Sequence, residues 1–192
     1  YYNKKLVADA GVDPANLAWS PDPASDTFLP AAKKLTKDSA GKAADQAGFD
    51  AKKVDQYAFN AANDLGAIYF NFIGSTGGKF QAQDGSFVFA QDRSAQAISY
   101  VVDLINKEHV APSAADTNDN GDFSRDKFLQ GKMALFQSGT YNLKNVADGA
   151  KFDRAIAPML KGPAGRVSVV NSVIAAGNVK PQHKGAKVIV LK

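Results

Sequence analysis

A short apolar segment between two predicted helices places the strongest constraint on how this chain folds. Residues 133–136 read Met-Ala-Leu-Phe and are flanked by the polar residues Lys132 and Gln137. Gly131 stands directly before this stretch, and glycine ends a helix readily because it adopts the left-handed conformation at little cost. A continuous apolar run of this length is typical of a strand covered on both faces, as in parallel α/β sheets. The pattern therefore predicts an α/β fold built around a buried strand.

The residues that follow this strand indicate where a ligand would bind. Positions 138–140 read Ser-Gly-Thr, a short break in which Thr140 is predicted to cap a helix over residues 141–147. Tyr141 then lies just past the carboxyl end of a buried strand, where open α/β sheets place their ligand sites. The alternative is that Tyr141 only covers the strand end. Geometry alone leaves both interpretations open.

Two further segments carry the pattern of amphipathic helices. Residues 26–36 are predicted as a helix capped by Asp26, and residues 92–109 as a longer helix capped by Asp92. The longer helix is expected to bury one apolar face, formed by Ile98, Val101, Val102 and Ile105.

Extended structure is predicted between these two helices. Residues 54–59 alternate between polar and apolar side chains, as a half-buried strand does. Residues 77–89 are predicted as a small hairpin whose turn is formed by Asp84 and Gly85. The mixture of helices and strands agrees with the α/β class.

Composition excludes several functional classes. The chain has 192 residues and no cysteine, which removes disulfides, thiol catalysis and cysteine-ligated metals. Its net charge of +4 comes from 23 basic and 19 acidic residues scattered along the chain, so we expect no nucleic-acid partner. No apolar run is long enough to span a membrane. The chain opens without Met, so the lack of a signal peptide says nothing about its compartment.

The sequence also lacks the patterns of common catalytic sites. Neither GxSxG nor HExxH occurs, and the P-loop pattern of nucleotide-binding proteins is absent. The two histidines, His109 and His183, are predicted at a helix end and in a loop, without an evident catalytic partner. Carboxylates are plentiful, so a pair that acts on glycosides stays open as a minor alternative. We predict that the protein is not an enzyme and has no cofactor.

One polar stretch matches part of a calcium-binding loop. Asp116, Asn118 and Asn120 occupy the first, third and fifth positions of an EF-hand loop. The twelfth position, a bidentate glutamate in that loop, is Lys127 here. We therefore expect no metal and keep these three residues only as candidates for calcium. The alternative is a polar turn that caps the following helix.

The order of these motifs resembles one protein family. A helix, GKMAL in a strand, SGTY and a second helix are similar to the carbohydrate-binding, maltose-binding-protein-like extracytoplasmic solute-binding proteins of ABC transporters (solute-binding protein family 1). Residues 1–11, YYNKKLVADAG, and residues 157–169, APMLKGPAGRVSV, resemble two further segments of this family. The chain departs from it at residues 24–28, which read Ala-Ser-Asp-Thr-Phe where the family usually has Thr-Trp-Asp-Glu-Phe. The resemblance covers nearly the whole chain.

The resemblance implies a type II periplasmic-binding-protein-like lobe with a central, mostly parallel sheet flanked by helices. Residues 1–165 would form the second, C-terminal-type lobe of a two-lobed protein. Residues 166–192 would cross the hinge and begin the return into the first lobe, the rest of which is absent from this chain. The chain is therefore expected to be a fragment that holds half of a cleft.

The resemblance also implies which residues line that cleft. In the family, the aromatic residue after the glycine of the SGTY-like motif stacks on a sugar ring, and Tyr141 occupies that position. For Arg166, a hydrogen bond to a sugar hydroxyl and a pairing at the hinge stay equally open. The expected ligand-binding residues, with Tyr1 as an alternative to its neighbour, are Tyr2, Asn71, Gly77, Gly78, Tyr141 and Arg166.

The function implied by the resemblance is the passive binding of a carbohydrate for uptake by an ABC transporter. The ligand would be a mono- or oligosaccharide, held by lobe closure and stacked on aromatic rings. The other partner would be the membrane permease, and the intact parent protein would be a monomer. Its expected location is extracytoplasmic, in the periplasm or as a cell-surface lipoprotein. The alternatives are a calcium-stabilised module that binds carbohydrate or protein and, behind it, a glycoside-acting enzyme.

Overall fold

The apolar segment 133–136 lies inside a sheet in the computed structural model, which describes residues 1–170. On one edge its backbone bonds to residues 1–3, with N···O distances of 2.9 Å. On the other edge it bonds to residues 57–58, with distances of 2.8 and 3.0 Å. Because both edges are paired, we refer to residues 133–136 as the central segment.

The strands around the central segment run in both directions. The strands among the described residues are β1 (Tyr2–Asn3), β2 (Lys37–Asp38), β3 (Val54–Gln56) and β4 (Arg154–Ala155). β1 is antiparallel to β4 and to the central segment, whereas Tyr57 pairs in parallel with Met133. β2 and β3 form a separate antiparallel pair. The sheet predicted to be mostly parallel is thus mixed in residues 1–170, because a continuous apolar run reports coverage of both faces but not the direction of the neighbours.

Helices flank this sheet. They are α1 (Lys4–Asp9), α2 (Phe28–Leu35), α3 (Phe70–Ser75), α4 (Asp92–Asn106), α5 (Ala114–Asp119), α6 (Phe123–Leu129) and α7 (Leu143–Gly149). A π-helical turn, Leu65–Tyr69, leads into α3, and a 3₁₀ turn, Thr140–Asn142, leads into α7. Within the described part of the chain, no helix has the length and apolar character needed to cross a membrane.

The central segment contributes to two hydrophobic clusters. Ala134 and Leu135 belong to the larger cluster, which contains Trp19, Phe59 and residues of α2, α3 and α4. Met133 and Phe136 belong to a smaller cluster with residues of α6 and α7. The predicted coverage of both faces is therefore confirmed, although residues 133–136 pair with their neighbours through isolated bridges rather than as a regular strand.

Two predicted turns are confirmed by their glycine conformations. Gly131 ends α6 with φ of +74°, and Gly85 adopts φ of +88° in the turn of the predicted hairpin. The hairpin closes through a pairing of Gln81 with Phe87. Both glycines lie in the left-handed region, which other residues adopt only at a cost.

The predicted helix caps have different outcomes. The Asp26 carboxylate accepts the N–H groups of Phe28 and Leu29 at 2.9 Å each, so its predicted role at the start of α2 is confirmed. The cap predicted for α4 is wrong, because Asp92 is already the first helical residue and the preceding Gln91 makes no side-chain cap bond. Asp92 is nevertheless well placed, since an acidic residue in the first turn interacts favourably with the helix dipole.

The buried face of α4 is rotated from the predicted one. Ala97, Val101 and Leu104 are buried, whereas Val102 is 38% exposed and the two isoleucines of the predicted face are half-buried. The buried residues follow the i, i+4, i+7 spacing of a single helix face. The prediction gave too little weight to alanine, which packs closely against a neighbouring helix despite its small apolar surface.

A buried aromatic network joins the loop before α2 to α3 and α4. The indole of Trp19 lies 5.0 Å from the ring of Phe72 and 4.8 Å from that of Tyr100. Its Nε1–H donates to Ser75 Oγ at 3.0 Å, and the Tyr100 hydroxyl donates to Asp26 Oδ2 at 2.7 Å. Burial, and then the Asp26 carboxylate, raise the pKa of Tyr100, so its hydroxyl stays protonated as a donor.

Replacing Ser75 tests this network. Ser75→Ala removes the acceptor of the buried Trp19 N–H, so we expect the free energy of unfolding to fall by about 1–3 kcal/mol. Denaturant unfolding followed by tryptophan fluorescence measures the change. Ser168→Ala, at an exposed position, is the control and should leave stability unchanged. Equal free energies of unfolding for the two variants would show that the Trp19–Ser75 hydrogen bond does not stabilise the fold.

The backbone after α4 provides a second stability test. His109 has φ of 54°, in the left-handed region that strongly disfavours β-branched residues. We expect His109→Val to lower the free energy of unfolding by about 1–2 kcal/mol, and His109→Gly to maintain it. The same denaturant measurement applies. A His109→Gly variant as unstable as His109→Val would show that the side chain, rather than the backbone, is what the position requires.

Candidate functional site

A cavity of about 500 Å³ lies at the carboxyl end of the central segment. Its lining comes from three stretches of chain: residues 60–67, residues 117–125 and residues 136–142. Tyr141 is one of these lining residues, and we call this space the Tyr141 cavity. Its volume falls within the range of small-molecule sites, and its polar lining suits a ligand rich in hydrogen-bonding groups.

The turn that positions Tyr141 differs in detail from the predicted one. Thr140 is the first residue of the 3₁₀ turn rather than a helix cap, and the cap position before it is occupied by Gly139, which has no side chain to form a capping bond. The Asn142 side chain instead donates to Ser138 Oγ at 2.8 Å and braces the turn from within. The capping prediction is wrong because the chain inserts a tighter turn before α7 begins at Leu143.

Tyr141 is held against the backbone while most of its surface stays open. Its side chain is 64% exposed, yet its ring lies so close to Gly139 that an added methyl group there would overlap it. The Tyr1 hydroxyl donates to the Gly139 carbonyl at 3.0 Å and fixes the same peptide. Burial, and then Tyr141, raise the pKa of the Tyr1 hydroxyl, which therefore remains a donor. The Tyr141 ring is therefore oriented by the backbone at Gly139 and remains accessible.

A buried amide joins the first and third stretches of the lining. Asn60 Nδ2 donates to the Gln137 carbonyl at 2.8 Å, and the Gln137 N–H donates to Asn60 Oδ1 at 2.7 Å. The Gln137 side chain then donates to the Ala67 carbonyl at 2.6 Å. Asn60 and Gln137 are both buried, so these bonds fix the two walls relative to each other.

Further side chains hold the π-helical turn at Leu65–Tyr69. Asp64 Oδ1 accepts the Ala67 N–H at 2.8 Å. Asn71 Nδ2 donates to the carbonyls of Gly66 and Ala67 at 3.0 Å each. Asn71, expected to bind ligand, therefore lies behind the cavity wall and supports it. π-Helical turns are rare and frequent at functional sites.

Sequence reasoning missed the polar residues Asn60, Asp64 and Gln137 in this site. A signal was available for two of them. Asn60 and Gln137 are each the first polar residue after a buried apolar stretch, and the ends of neighbouring strands meet at one edge of a sheet. Asp64 lies further into a loop, and no local pattern marks it.

The candidate calcium ligands Asp116, Asn118 and Asn120 lie next to residues of the second lining stretch. Asp116 and Asn118 lie in α5, a helix whose first turn is capped by Ser113 Oγ at 3.1 Å from the Asp116 N–H. Asn120 follows the helix and accepts the Asp122 N–H at 3.0 Å. The predicted ligands thus sit on a helix and its end rather than around a loop. Residues 1–170 contain no cluster of three or more acidic or histidine side chains arranged to hold a metal.

Tyr2 lines a different, smaller cavity. This space of about 190 Å³ has a mainly apolar lining that includes Tyr1, Ile156 and Met159. It shares residues 136–138 with the Tyr141 cavity, so the end of the central segment separates the two. The structure brings Tyr2 close to the predicted site but not into the same cavity as Tyr141.

The three remaining expected residues lie away from the Tyr141 cavity. Gly77 and Gly78 line a separate depression at the start of α4, where Gly77 has φ of +75°. Arg166 donates from Nη1 to the Met159 carbonyl at 2.6 Å and from Nη2 to the Ala15 carbonyl at 2.7 Å. Its guanidinium therefore joins the backbone at Met159 to the backbone at Ala15, outside the lining of the Tyr141 cavity.

Solved structures share the fold of this chain. UspC from M. tuberculosis is 53% identical, superimposes with a TM-score of 0.85, and is matched over 99% of this chain and 48% of its own. MalE3 from T. maritima, solved with maltose, is 24% identical with a TM-score of 0.61, over 86% of this chain and 38% of its own. UgpB from M. tuberculosis, solved with glycerophosphocholine, is 19% identical with a TM-score of 0.62, over 84% of this chain and 35% of its own. The chain thus spans about half the length of UspC.

The comparison with protein families agrees with these structures. Curated proteins give no match to this sequence. The family of the bacterial extracellular solute-binding protein matches residues 1–189, which is nearly the whole chain. The predicted type II periplasmic-binding-protein-like α/β class is confirmed, and the family is one of transport proteins rather than enzymes. The chain belongs to the bacterial extracellular solute-binding proteins.

Proposed function

We propose that this chain is the carbohydrate-binding second lobe of a two-lobed uptake protein. Residues 1–165 would form that lobe, and residues 166–192 the hinge crossing and the return to the first lobe, although residues 171–192 lie outside the described part. The observation that carries the proposal is the Tyr141 ring, 64% exposed at a cavity lined by amide and carboxylate groups.

The chemistry of this lining suits a sugar. An open tyrosine ring offers an apolar surface to the C–H face of a pyranose, while the polar lining residues hydrogen-bond its hydroxyls. Gln137 Nε2 is already engaged with Ala67, and its Oε1 accepts no hydrogen bond among the described residues. That oxygen is an acceptor available to a ligand hydroxyl. The maltose of MalE3 supports the same class of ligand in a protein of this fold.

The mechanism follows from a site divided between two lobes. A sugar first bound on one lobe would be enclosed when the other lobe closes, and the enclosed form would be presented to an ABC-transporter permease. Specificity would arise because a wrong sugar leaves buried polar groups unpaired. The intact protein would act as a monomer outside the cytoplasm, in the periplasm or as a lipoprotein, without a cofactor.

Removing the Tyr141 ring tests the proposed platform. In the two-lobed protein, we expect Tyr141→Ala to weaken binding of the best sugar from a mono- and oligosaccharide panel by at least about tenfold. Isothermal titration measures the affinity. Tyr141→Phe keeps the ring and should retain most of it. Because the side chain is exposed, neither change should lower the melting temperature, and unchanged affinity in Tyr141→Ala would contradict the proposal.

Gly139 provides a test that leaves the ring present. A methyl group at Gly139 would overlap the Tyr141 ring, so Gly139→Ala should displace it and weaken sugar binding about as much as Tyr141→Ala does. The backbone at Gly139 is extended, with φ of −84°, so alanine introduces no backbone strain there. Ser99→Ala, at an exposed position of α4 outside the lining of the Tyr141 cavity, is the control and should leave the affinity unchanged. Full affinity in Gly139→Ala would show that the ring's position is unimportant.

A further inference from the structure

The start of α6 forms a polar wall of the Tyr141 cavity that the aromatic platform does not explain. Asp122, Ser124 and Arg125 all line the cavity there, a few residues apart in sequence. Among the lining residues they contribute one anion, one hydroxyl and one cation. How these groups are paired determines which kind of ligand the wall accepts.

Arg125, the cation of this wall, is already engaged by carboxylates. Its Nη1 lies 2.8 Å from Asp122 Oδ1, and its Nη2 lies 3.1 Å from Asp126 Oδ1. Its Nε also donates to Asp126 at 3.3 Å. All three nitrogens of the guanidinium therefore face carboxylate oxygens, and its side chain is only 26% exposed. A guanidinium held in this way offers little free charge to an anionic ligand.

The neighbouring Ser124 points to a polar but uncharged contact. It is only 5% exposed, and its Oγ has no hydrogen-bond partner among residues 1–170. A buried hydroxyl without a partner is unfavourable, and pairing it is favourable. A hydroxyl group can both donate to and accept from a serine, so a ligand hydroxyl can hydrogen-bond to Ser124 without adding a charge to the site.

Asp64, the remaining charged residue of the cavity lining, adds a second carboxylate to it. Asp64 uses one carboxylate oxygen to accept the Ala67 N–H. The lining of this lobe thus contains two carboxylates, Asp64 and Asp122, against one guanidinium that Asp126 also neutralises. An added anion would meet uncompensated negative charge in a partly closed site of reduced dielectric.

We propose that this site selects ligands without a negative charge, and that Asp122 is a specificity-determining residue because it neutralises Arg125. The inference rests on the proposed sugar-binding function and adds the class of sugar: unphosphorylated and non-acidic. Charged groups do occur among the ligands of this fold, since the structure of UgpB contains glycerophosphocholine, a zwitterion with an anionic phosphodiester and a cationic ammonium group. In this chain, the carboxylates that engage Arg125 remove the group that would recognise such an anion.

The experiment compares a neutral sugar with its own anionic derivative. The two-lobed protein is first titrated with a panel of neutral sugars that includes glucose, maltose and maltotriose. The best binder is then compared with its 6-phosphate and with the matching uronic acid. We expect the wild type to bind the neutral sugar at least about tenfold more tightly than either anion, with a preference that shrinks as salt is added.

Substitution of Asp122 then tests its assigned role. Asp122→Asn frees the guanidinium from one carboxylate and should reduce the preference for the neutral sugar by about threefold or more. Asp122→Ala should act in the same direction, which covers a folding defect in either variant. Asp148→Asn is the matched control, because it makes the same change in net charge at the exposed Lys144–Asp148 pair of α7. It should leave the preference unchanged.

The outcomes distinguish a failure of the proposed sugar binding from a failure of the charge selection alone. If no neutral or anionic sugar binds the wild type, the proposed function itself fails. If sugars bind but the 6-phosphate binds as tightly as its neutral parent, only the charge selection fails. An equal change in Asp122→Asn and Asp148→Asn would show that overall charge, and not Asp122, sets the preference.

Discussion

The paired hydrogen bonds between the Asn60 side chain and the Gln137 backbone hold the candidate site together. They continue the pairing of two neighbouring chain segments beyond the point where their backbones separate, with bonds of 2.7 and 2.8 Å. The Gln137 side chain extends the connection to Ala67 in the π-helical turn. Because leaving such a buried group unpaired costs about 1–3 kcal/mol, this arrangement is strongly favoured over any in which the walls move apart.

This framework means that the lobe presents its binding groups in a fixed arrangement. Tyr141 is also held in place, but by packing rather than by hydrogen bonds, since its close contact with Gly139 restricts the ring without burying it. The Tyr1 hydroxyl, from β1's end of the sheet, holds the Gly139 peptide in place. Groups that are ordered before a ligand arrives lose less conformational entropy on binding, so under the proposed function this rigidity would contribute to affinity.

The parts predicted from sequence were those set by local constraints. The coverage of residues 133–136 and the left-handed glycine at Gly131 follow from a few adjacent residues, and both are confirmed. Local patterns mark Asn60 and Gln137 singly, as the first polar residues after buried stretches, but their hydrogen bonds to each other join positions 77 residues apart and follow from the tertiary fold. The EF-hand-like match around Asp116 would require a loop, but a helix forms there because the Ser113 side chain caps its first turn. A match based only on the spacing of residues does not take such a cap into account. Of the residues implied by the resemblance, Tyr141 lines the larger cavity, whereas Gly77, Gly78 and Arg166 lie elsewhere, because the position of a motif in the chain does not fix which cavity it reaches.

A shared fold leaves the choice of ligand to the residues that line the cavity. MalE3 and UgpB superimpose on this chain with TM-scores of 0.61 and 0.62, although one was solved with maltose and the other with glycerophosphocholine. Proteins of this fold thus hold ligands of different chemistry, one uncharged and the other zwitterionic. In this chain, Arg125 forms ion pairs with both Asp122 and Asp126, so its positive charge is balanced by neighbouring carboxylates. Under the proposed function, such a pairing would favour a ligand rich in hydroxyl groups, because a hydroxyl can hydrogen-bond to either partner without changing the balance of charge between them.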